Sequence, residues 1–203
     1  MKSIRLIRHA ESAANAGLRT SDPGEIPLTE NGKAAAARAA LEYDGHAPEL
    51  IVVSPYLRAR QTAAPFITRF PEAKVDATWP VHEFTYISPE RCVGSTFDER
   101  KPMVAAYWGE ASPGYVDGPQ SESFKGFIGR VTDSLANLRG RKEASILVVG
   151  HGIFMRAAEF YQRPTEDPAD PESMRRFRHY TLECPVPNLG IIDFSGTFSE
   201  TSK

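Results

Sequence analysis

The sequence contains little cysteine, no long apolar run and no excess of charge of one sign. Its 203 residues include two cysteines, Cys92 and Cys184, which form neither a CxxC pair nor a pattern with metal-ligand spacing. A disulfide is not implied, and the simplest interpretation is two free thiols in a reducing compartment. No apolar run approaches the roughly 20 residues of a membrane span, and no signal-peptide-like segment precedes the first predicted strand. We therefore expect a cytoplasmic protein without a membrane partner.

The charge balance also narrows the classes of partner. The chain carries 24 lysines and arginines and 26 aspartates and glutamates, for a net charge of −2, so nothing in the composition indicates nucleic acid as a partner. A hydrophobic fraction of 41% is ordinary for a globular protein. Because the chain shows no internal repeat, low-complexity run or linker, it predicts a single domain over residues 1–203.

Strand and helix patterns alternate along most of the chain. Short apolar runs rich in β-branched residues predict buried strands at 4–7, 50–53 and 145–149. Residues 10–15 have the pattern of a turn leading into a helix. Further helices are predicted at 33–41 after an N-cap at Thr29, at 57–70 with an interruption or kink near Pro65, at 121–140 and at 153–161. This alternation predicts an α/β fold, a three-layer α/β/α sandwich with a mostly parallel central sheet.

Weaker signals cover the remaining segments. They predict a strand at 74–77, an acidic, proline-rich loop at 164–171, closing strands at 180–183 and 190–194, and a frayed polar tail from Ser195. Residues 84–120 do not follow the alternation, hold several aromatic side chains and show a helical stretch only near 99–109. Long segments of this kind in compact domains are often binding loops or lids. We therefore interpret 84–120 as an insert on the substrate side.

Polar side chains follow three of the predicted strands directly. Arg8 and His9 end the first strand, residues 54–62 follow the second, and Gly150-His151-Gly152 follows the strongest one. Ligands of parallel α/β sheets bind at the carboxyl ends of the strands, so we expect these clusters to converge. Arginine matches phosphate oxygens, and a neutral histidine nitrogen can form a covalent phospho-enzyme. The clusters together predict a site for a phosphoryl group.

Each of these signals also has a structural interpretation. A histidine at a strand end is often structural, and the glycines beside His151 can form a tight turn, although they also let a ligand approach the backbone. Arg58 and Arg60 are both compatible with solvated helix charges. Because they do not share a face of a helix, at most one is expected to point into the site. Arg60 is the one expected in solvent.

Five short motifs occur in order along the chain. They are Leu6-Ile-Arg-His-Ala-Glu-Ser12 with Asn15, Pro27-Leu-Thr29 with Gly32, Ser54-Pro-Tyr-Leu-Arg58-Ala-Arg-Gln-Thr62, Glu122-Ser123 ahead of Phe127 and Arg130, and Val148-Val-Gly-His-Gly152. Together with a closing segment near Asn188, they resemble the signature of the histidine phosphatase superfamily, also called the phosphoglycerate mutase-like family. The sequence departs from that signature at Ala10, where glycine is common. A turn that required positive φ would strain an alanine there.

The resemblance implies a role for each matching residue. His9 would be the phosphorylated nucleophile, and Arg8, Arg58 and His151 would line the phosphate pocket. Asn15 would contribute a side-chain hydrogen bond to the same pocket. Three further residues are expected on the substrate side: Gly152, which lets a ligand approach, Glu122, which would orient pocket arginines, and His82, which would approach the substrate. The implied chemistry uses neither a metal nor another cofactor.

The family also uses an acid that protonates the leaving oxygen, and Glu83 fits that position best. An alkoxide is a poor leaving group, so a proton has to arrive as the P–O bond breaks, and the same carboxylate can afterwards activate water. For the first role Glu83 has to be protonated, which burial or a nearby anion would favour. Glu11, Glu90 and Glu122 are the alternatives. Glu11 is better suited to capping a helix N-terminus.

Two enzymatic functions and one binding function share such a site. The resemblance implies hydrolysis of a small phosphorylated metabolite through a phosphohistidine, or phosphoryl transfer as in cofactor-dependent phosphoglycerate mutases. Those mutases carry a long insert between the acid and the second histidine, and a tryptophan before the asparagine. Here 67 residues lie between Glu83 and His151, and Ala14 precedes Asn15, which favours the phosphatase. A catalytically inactive phosphate-binding module is the third alternative, and a homodimer is compatible with the sequence.

Overall fold

A five-stranded sheet forms the middle of the protein. The computed structural model describes residues 2–162, 167–168 and 170–195. Its strands are β1 (Ser3–Arg8), β2 (Leu50–Val53), β3 (Lys74–Asp76), β4 (Ser145–Gly150) and β5 (Ile191–Asp193). They lie in the order β3-β2-β4-β1-β5. The first four are parallel, and β5 pairs antiparallel with β1. The mostly parallel sheet that the apolar runs predict is confirmed.

Helices cover both faces of this sheet. They are α1 (Glu30–Glu42), α2 (Leu57–Arg69), α3 (Phe97–Glu110), α4 (Phe124–Gly140), α5 (Gly152–Phe160) and α6 (Pro171–Glu183), with a short 3-10 helix at Pro89–Cys92. In the described part of the chain, none of these helices is long and apolar enough to cross a membrane.

Successive strand side chains point to opposite faces and so build two cores. Leu6 belongs to the core that contains Phe127 of α4, whereas its neighbour Ile7 belongs to the core that contains Phe66 of α2. This alternation follows from the period of two in a β-strand. All residues of β2 and β4 are buried, as strands between two helical layers require. The predicted three-layer α/β/α sandwich is the observed architecture.

One of the predicted elements is wrong, and two are right only in part. Residues 180–183 are not a strand but the last turn of α6, because Asp170 caps that helix at the N-terminus and Pro171 occupies its first turn. The helix α2 continues through Pro65 without interruption to Arg69, since buried side chains on both sides of the proline pack against the sheet. Residues 10–15 form turns and do not enter a helix.

Other predicted elements shift only slightly. The strands expected at 74–77 and 190–194 are the shorter β3 and β5, and the helical stretch near 99–109 is α3. The proposed insert at 84–120 contains α3 and the 3-10 helix. Of the loop expected at 164–171, residues 164–166 and 169 lie outside the described residues, as does the tail beyond Ser195.

The start of α1 packs closely against the backbone of Glu11. The side chain of Thr29 accepts a hydrogen bond from the Gly32 amide at 2.9 Å and donates one to Glu11 Oε1 at 2.6 Å. A Cβ atom at Gly32 would lie 2.1 Å from the Glu11 carbonyl oxygen. The glycine of the second motif is therefore required by this close approach of two backbone segments.

Replacing Gly32 by alanine is expected to lower the free energy of unfolding by roughly 2–3 kcal/mol, because the helix and the loop have to separate to admit the methyl group. Gly129 in α4 offers a matched control, since a Cβ there would meet nothing within 4 Å. Gly129→Ala should be neutral or stabilising by up to about 1 kcal/mol. Urea unfolding measures both values, and equal stability of the two variants would contradict the close approach at Gly32.

Candidate active site

Polar residues follow three neighbouring strands at one edge of the sheet. Arg8 is paired in register with Gly150, and Val53 with Val149. The residues that directly follow these strands therefore lie side by side. They are His9 after β1, Ser54 after β2 and His151 after β4. The convergence that parallel strands predict is observed.

His9 is held in a single tautomer by its two ring contacts. Its side chain is almost fully buried, and the residue is only 4% exposed. The Nδ1 atom lies 2.7 Å from the Ala10 carbonyl oxygen, and Nε2 lies 3.1 Å from Arg58 Nε. A carbonyl can only accept and a guanidinium can only donate. Nδ1 therefore carries the proton, and Nε2 presents a lone pair.

The surroundings of His9 also keep its ring neutral. Burial lowers the pKa of His9 to about 3, the positive charges of Arg58 and Arg8 add to this effect, and the hydrogen bond to Ala10 opposes it. At neutral pH the unprotonated Nε2 is therefore the dominant form. An unprotonated, oriented imidazole nitrogen is the form that can attack phosphorus.

His151 lies against His9 with one nitrogen unsatisfied. The two rings meet edge to face with centroids 5.2 Å apart, and His151 Nε2 is 2.7 Å from Ser54 Oγ. Its Nδ1 is buried and hydrogen-bonds to none of the described residues. Burial, followed by the charge of Arg58, holds the pKa of His151 well below its usual range. A buried, unpaired ring nitrogen is a group that a phosphate oxygen can satisfy.

Arg8 and Arg58 bring two positive charges to this edge. Arg8 Nη1 donates to Val186 O at 2.6 Å, and Arg58 Nη1 donates to Pro23 O at 2.6 Å. Arg8 Nε is buried and bonds to no described residue. Burial lowers the pKa of both guanidiniums, although the nearby Glu83 carboxylate opposes the shift. Both stay charged at neutral pH and provide the donors that an oxyanion requires.

Glu83 sits at the N-terminus of α5. Its Oε1 accepts hydrogen bonds from the amides of Phe84 at 3.0 Å and Phe154 at 3.1 Å, and Oε2 accepts from Ile153 at 3.2 Å. These three bonds fix the Glu83 carboxyl group at the start of α5, which begins directly after His151.

Glu122 and His82, which the sequence placed on the substrate side, are both connected to Arg130. Arg130 forms an ion pair with Glu122 and donates to the carbonyl oxygens of Pro80 at 2.6 Å and His82 at 2.9 Å. Glu122 thus orients Arg130, and not Arg8 or Arg58. Burial and the Arg130 charge lower the pKa of His82 to about 4. The His82 ring faces Tyr56, which lines the site, with centroids 5.7 Å apart.

Asn15 and Gly152 lie near Arg8. The Asn15 Oδ1 atom accepts from Ser12 Oγ at 3.0 Å and from Asn188 Nδ2 at 3.2 Å, which directs the Asn15 amide nitrogen away from these groups. Asn188 Nδ2 also donates to the His9 carbonyl at 2.9 Å. A Cβ atom at Gly152 would come within 3.4 Å of Arg8 Nε, so the glycine leaves space beside that donor.

The alternative carboxylates lie in other environments. Glu11 contacts Thr29 at the start of α1, and Glu90 is exposed in the 3-10 helix. Arg60 is also exposed, 3.7 Å from Glu25, which confirms that one arginine of the pair faces solvent. Ala10 does not have a positive φ, so alanine in place of the usual glycine is unstrained.

Sequence reasoning missed several supporting residues. Ser54 and Asn188 contact the two histidines as described above. Thr62 Oγ1 accepts from the Ala10 amide at 3.0 Å and donates to the Arg58 carbonyl at 2.7 Å, which ties the loop after β1 to α2. These residues occur in the matching motifs, but the motifs do not state their partners. Among the described residues, no group of three or more His, Cys, Asp or Glu side chains is placed to hold a metal ion.

The low pKa of His82 predicts acid sensitivity. Between its unfolded pKa of about 6.5 and its folded value of about 4, the unfolded state binds more protons. The free energy of unfolding therefore falls as pH falls through this window. His82→Gln should reduce that dependence by up to about 1.4 kcal/mol per pH unit, measured by urea unfolding at several pH values. His46→Gln, the same change at an exposed loop histidine, is the control for the substitution itself. Equal pH dependence in both variants would contradict the assignment.

The comparisons with known proteins agree with this geometry. A family model described as the histidine phosphatase superfamily (branch 1) matches residues 4–183. The chain therefore belongs to the histidine phosphatase superfamily, and this membership supports a phosphatase activity in general terms. No curated protein matches the chain.

Solved structures of phosphatases have a similar fold. A mycobacterial glucosyl-3-phosphoglycerate phosphatase is 19% identical with a TM-score of 0.69, over 95% of this chain and 89% of its own. The α-ribazole phosphatase of Shigella flexneri is 21% identical with a TM-score of 0.69, over 94% and 89%. A mutant phosphoserine phosphatase of Entamoeba histolytica, solved with phosphoserine, is 20% identical with a TM-score of 0.69, over 95% and 90%. At these identities the likeness shows the fold alone.

Proposed function

We propose that the protein hydrolyses phosphomonoesters of small metabolites through a phosphohistidine at His9, without a metal. The observation that carries the proposal is the state of His9 Nε2. This atom is unprotonated and oriented by a hydrogen bond from Arg58 Nε at 3.1 Å, beside a second arginine and a second histidine. A substrate phosphate can replace His9 as the acceptor of that guanidinium bond as the reaction begins.

The first step transfers the phosphoryl group. The lone pair of His9 Nε2 attacks phosphorus, the bond from phosphorus to the ester oxygen breaks, and the electron pair of that bond stays on the leaving oxygen. Arg8, Arg58 and His151 stabilise the charge on the non-bridging oxygens. Glu83, entering this step as the carboxylic acid, gives its proton to the leaving oxygen, so that a neutral alcohol departs.

The second step returns the enzyme to its starting state. Glu83, now a carboxylate, takes a proton from water while the water oxygen attacks phosphorus. The N–P bond breaks, and its electron pair returns to His9 Nε2. Inorganic phosphate leaves, and Glu83 is again protonated for the next substrate. Three backbone donors hold the Glu83 carboxyl group in place for both steps.

Hydrolysis is favoured over the two alternatives by separate features. A mutase is disfavoured by the short segment between Glu83 and His151 and by Ala14 before Asn15. An inactive binding module is disfavoured because nucleophile, proton donor and phosphate-binding groups are all present. Phosphatases with three different named substrates share the fold, which supports hydrolysis but leaves the leaving group open.

Release of inorganic phosphate distinguishes the three functions. The protein alone, incubated with p-nitrophenyl phosphate and with a panel of phosphorylated metabolites, should release phosphate with multiple turnovers. A requirement for bisphosphoglycerate, with phosphate moved between carbon positions and not released, would establish the mutase. Saturable phosphate binding without turnover of any ester would establish the binding module.

A further inference from the structure

A cavity of about 150 Å³ adjoins the site beside Glu83. Arg58 and Glu83 both form part of its wall, so the cavity is continuous with the place where phosphate would bind. Most of the remaining wall is hydrocarbon, from the loop before α1, the segment after Glu83, and α3. Ile26, Ile87 and Val104 represent these three parts.

Reaction geometry places the leaving group in a space beside Glu83, if the proposed function holds. The attacking nitrogen and the leaving oxygen lie on opposite sides of phosphorus in an in-line displacement. Glu83 has to reach the leaving oxygen to protonate it. The group attached to that oxygen therefore extends past Glu83, and the cavity whose wall also contains Arg58, the partner of His9, is one of two spaces beside Glu83 that can receive it.

A second recess also touches Glu83 but has different chemistry. It measures about 210 Å³, and its wall includes Arg8, Arg156 and Thr181. Such a wall suits a charged or hydroxylated group. The two spaces therefore correspond to two different substrate classes, and the choice between them can be measured.

The size and lining of the first cavity define its occupant. A space of about 150 Å³ whose wall is mostly aliphatic and aromatic has room for a single ring. The second arginine in the cavity wall, Arg100, is held by hydrogen bonds within the protein. It donates to Thr96 O at 3.0 Å, Thr20 Oγ1 at 3.0 Å and Ser95 O at 3.2 Å. These bonds hold α3 against the loop near Thr20 and fix the cavity wall.

We propose that the natural substrate is a phosphomonoester whose alcohol carries an apolar group about the size of a single ring. This proposal rests on the proposed function and adds to it the class of the leaving group. The wall also contains a few hydroxyl groups, such as those of Ser21 and Thr85. Most hydroxyl or charged groups of a sugar or amino-acid ester would nevertheless lie against hydrocarbon such as Ile87 and Val104, which is unfavourable.

Two substrates of equal chemical reactivity test the proposal. Benzyl phosphate and glycerol 3-phosphate are both esters of primary alcohols, so differences between them report on the leaving-group space. We expect kcat/KM to be at least about tenfold higher for benzyl phosphate. O-phosphoserine, a charged ester suited to the polar recess, should also be a poorer substrate than benzyl phosphate.

The same substitution at two valines tests whether the cavity wall determines the substrate preference. Val104→Thr keeps the side-chain shape but places a hydroxyl on the apolar wall, and should lower kcat/KM for benzyl phosphate about fivefold, with little change for glycerol 3-phosphate. Val93→Thr makes the same change at a side chain that is 65% exposed and not part of the wall. It should leave both substrates unaffected.

The outcomes separate this proposal from the proposed function. Hydrolysis of all three esters, with glycerol 3-phosphate or O-phosphoserine preferred, would overturn the apolar leaving group and leave hydrolysis intact. An equal loss in the Val104 and Val93 variants would also overturn it. Failure to hydrolyse any ester, p-nitrophenyl phosphate included, would overturn both proposals.

Discussion

Replacing His9 by alanine is expected to lower kcat by at least about 10⁴-fold, because the variant lacks the atom that forms the bond to phosphorus. Steady-state release of inorganic phosphate measures the loss. Arg8, Arg58 and His151 remain in the variant, so inhibition by inorganic phosphate should persist. Loss of turnover with retained phosphate binding would assign His9 to chemistry and not to binding.

His179 provides the matched control for this substitution. It lies on α6, and its side chain is 72% exposed. His179→Ala should retain full activity, and both variants should show the far-ultraviolet circular dichroism of the parent protein. A His9→Ala protein that turns over at the parent rate would contradict the proposed mechanism.

Replacing Glu83 by glutamine is expected to lower kcat for alkyl phosphates by about 10²–10⁴-fold, the usual contribution of general acid–base catalysis. The glutamine oxygen can still accept hydrogen bonds from Phe84 and Phe154, but its NH2 group faces the Ile153 amide in place of a carboxylate oxygen. Some loss of stability is therefore expected as well. The comparison of substrates separates that loss from the loss of the proton donor.

Dependence on the leaving group is the signature of a missing acid. p-Nitrophenolate departs without a proton, so when phosphoryl transfer limits the rate, the Glu83→Gln variant should lose much less activity on p-nitrophenyl phosphate than on benzyl phosphate. Glu90→Gln, the same change at an exposed carboxylate, should leave the activity on both substrates unchanged. When phosphoryl transfer limits the rate, an equal loss on both substrates would mean that Glu83 does not donate the proton to the leaving group.

The layers of the fold could be predicted from local sequence because the signals there are strong and consistent. The apolar runs of β2 and β4 require burial on both faces, and the helical spacing of α4 exposes only one. The segment Tyr-Thr-Leu-Glu at 180–183 has a strand-like composition of its own, yet it lies in α6. Asp170 and Pro171, ten residues earlier, already mark the start of the helix that contains it.

The polar residues of the site could be predicted for a different reason. Parallel strands bring their ends together whatever the loops do, so Arg8, His9 and His151 follow from topology. What could not be predicted is which side chains hold them. Ser54 meets His151 across 97 positions of sequence, and Thr62 meets the Ala10 amide across 52. Such contacts depend on the packing of two segments and leave no pattern in either one.

The assignment of Glu122 shows the same limit. A carboxylate next to a predicted cationic pocket was expected to orient the pocket arginines, but its partner is Arg130, eight residues further along the chain. The apolar cavity was also beyond prediction, because its wall combines side chains from the loop before α1, the segment after Glu83, and α3.

Trapping the phospho-enzyme tests the central claim most directly. The protein is mixed with p-nitrophenyl phosphate, stopped within one turnover in alkali, where phosphohistidine survives, and digested for mass spectrometry. We predict a phosphoryl group on the peptide that contains His9, formed as fast as p-nitrophenolate is released in the first turnover, missing in His9→Ala and lost on acid treatment. Phosphate on another residue, or multiple turnovers without phosphorylation of His9, would contradict the account.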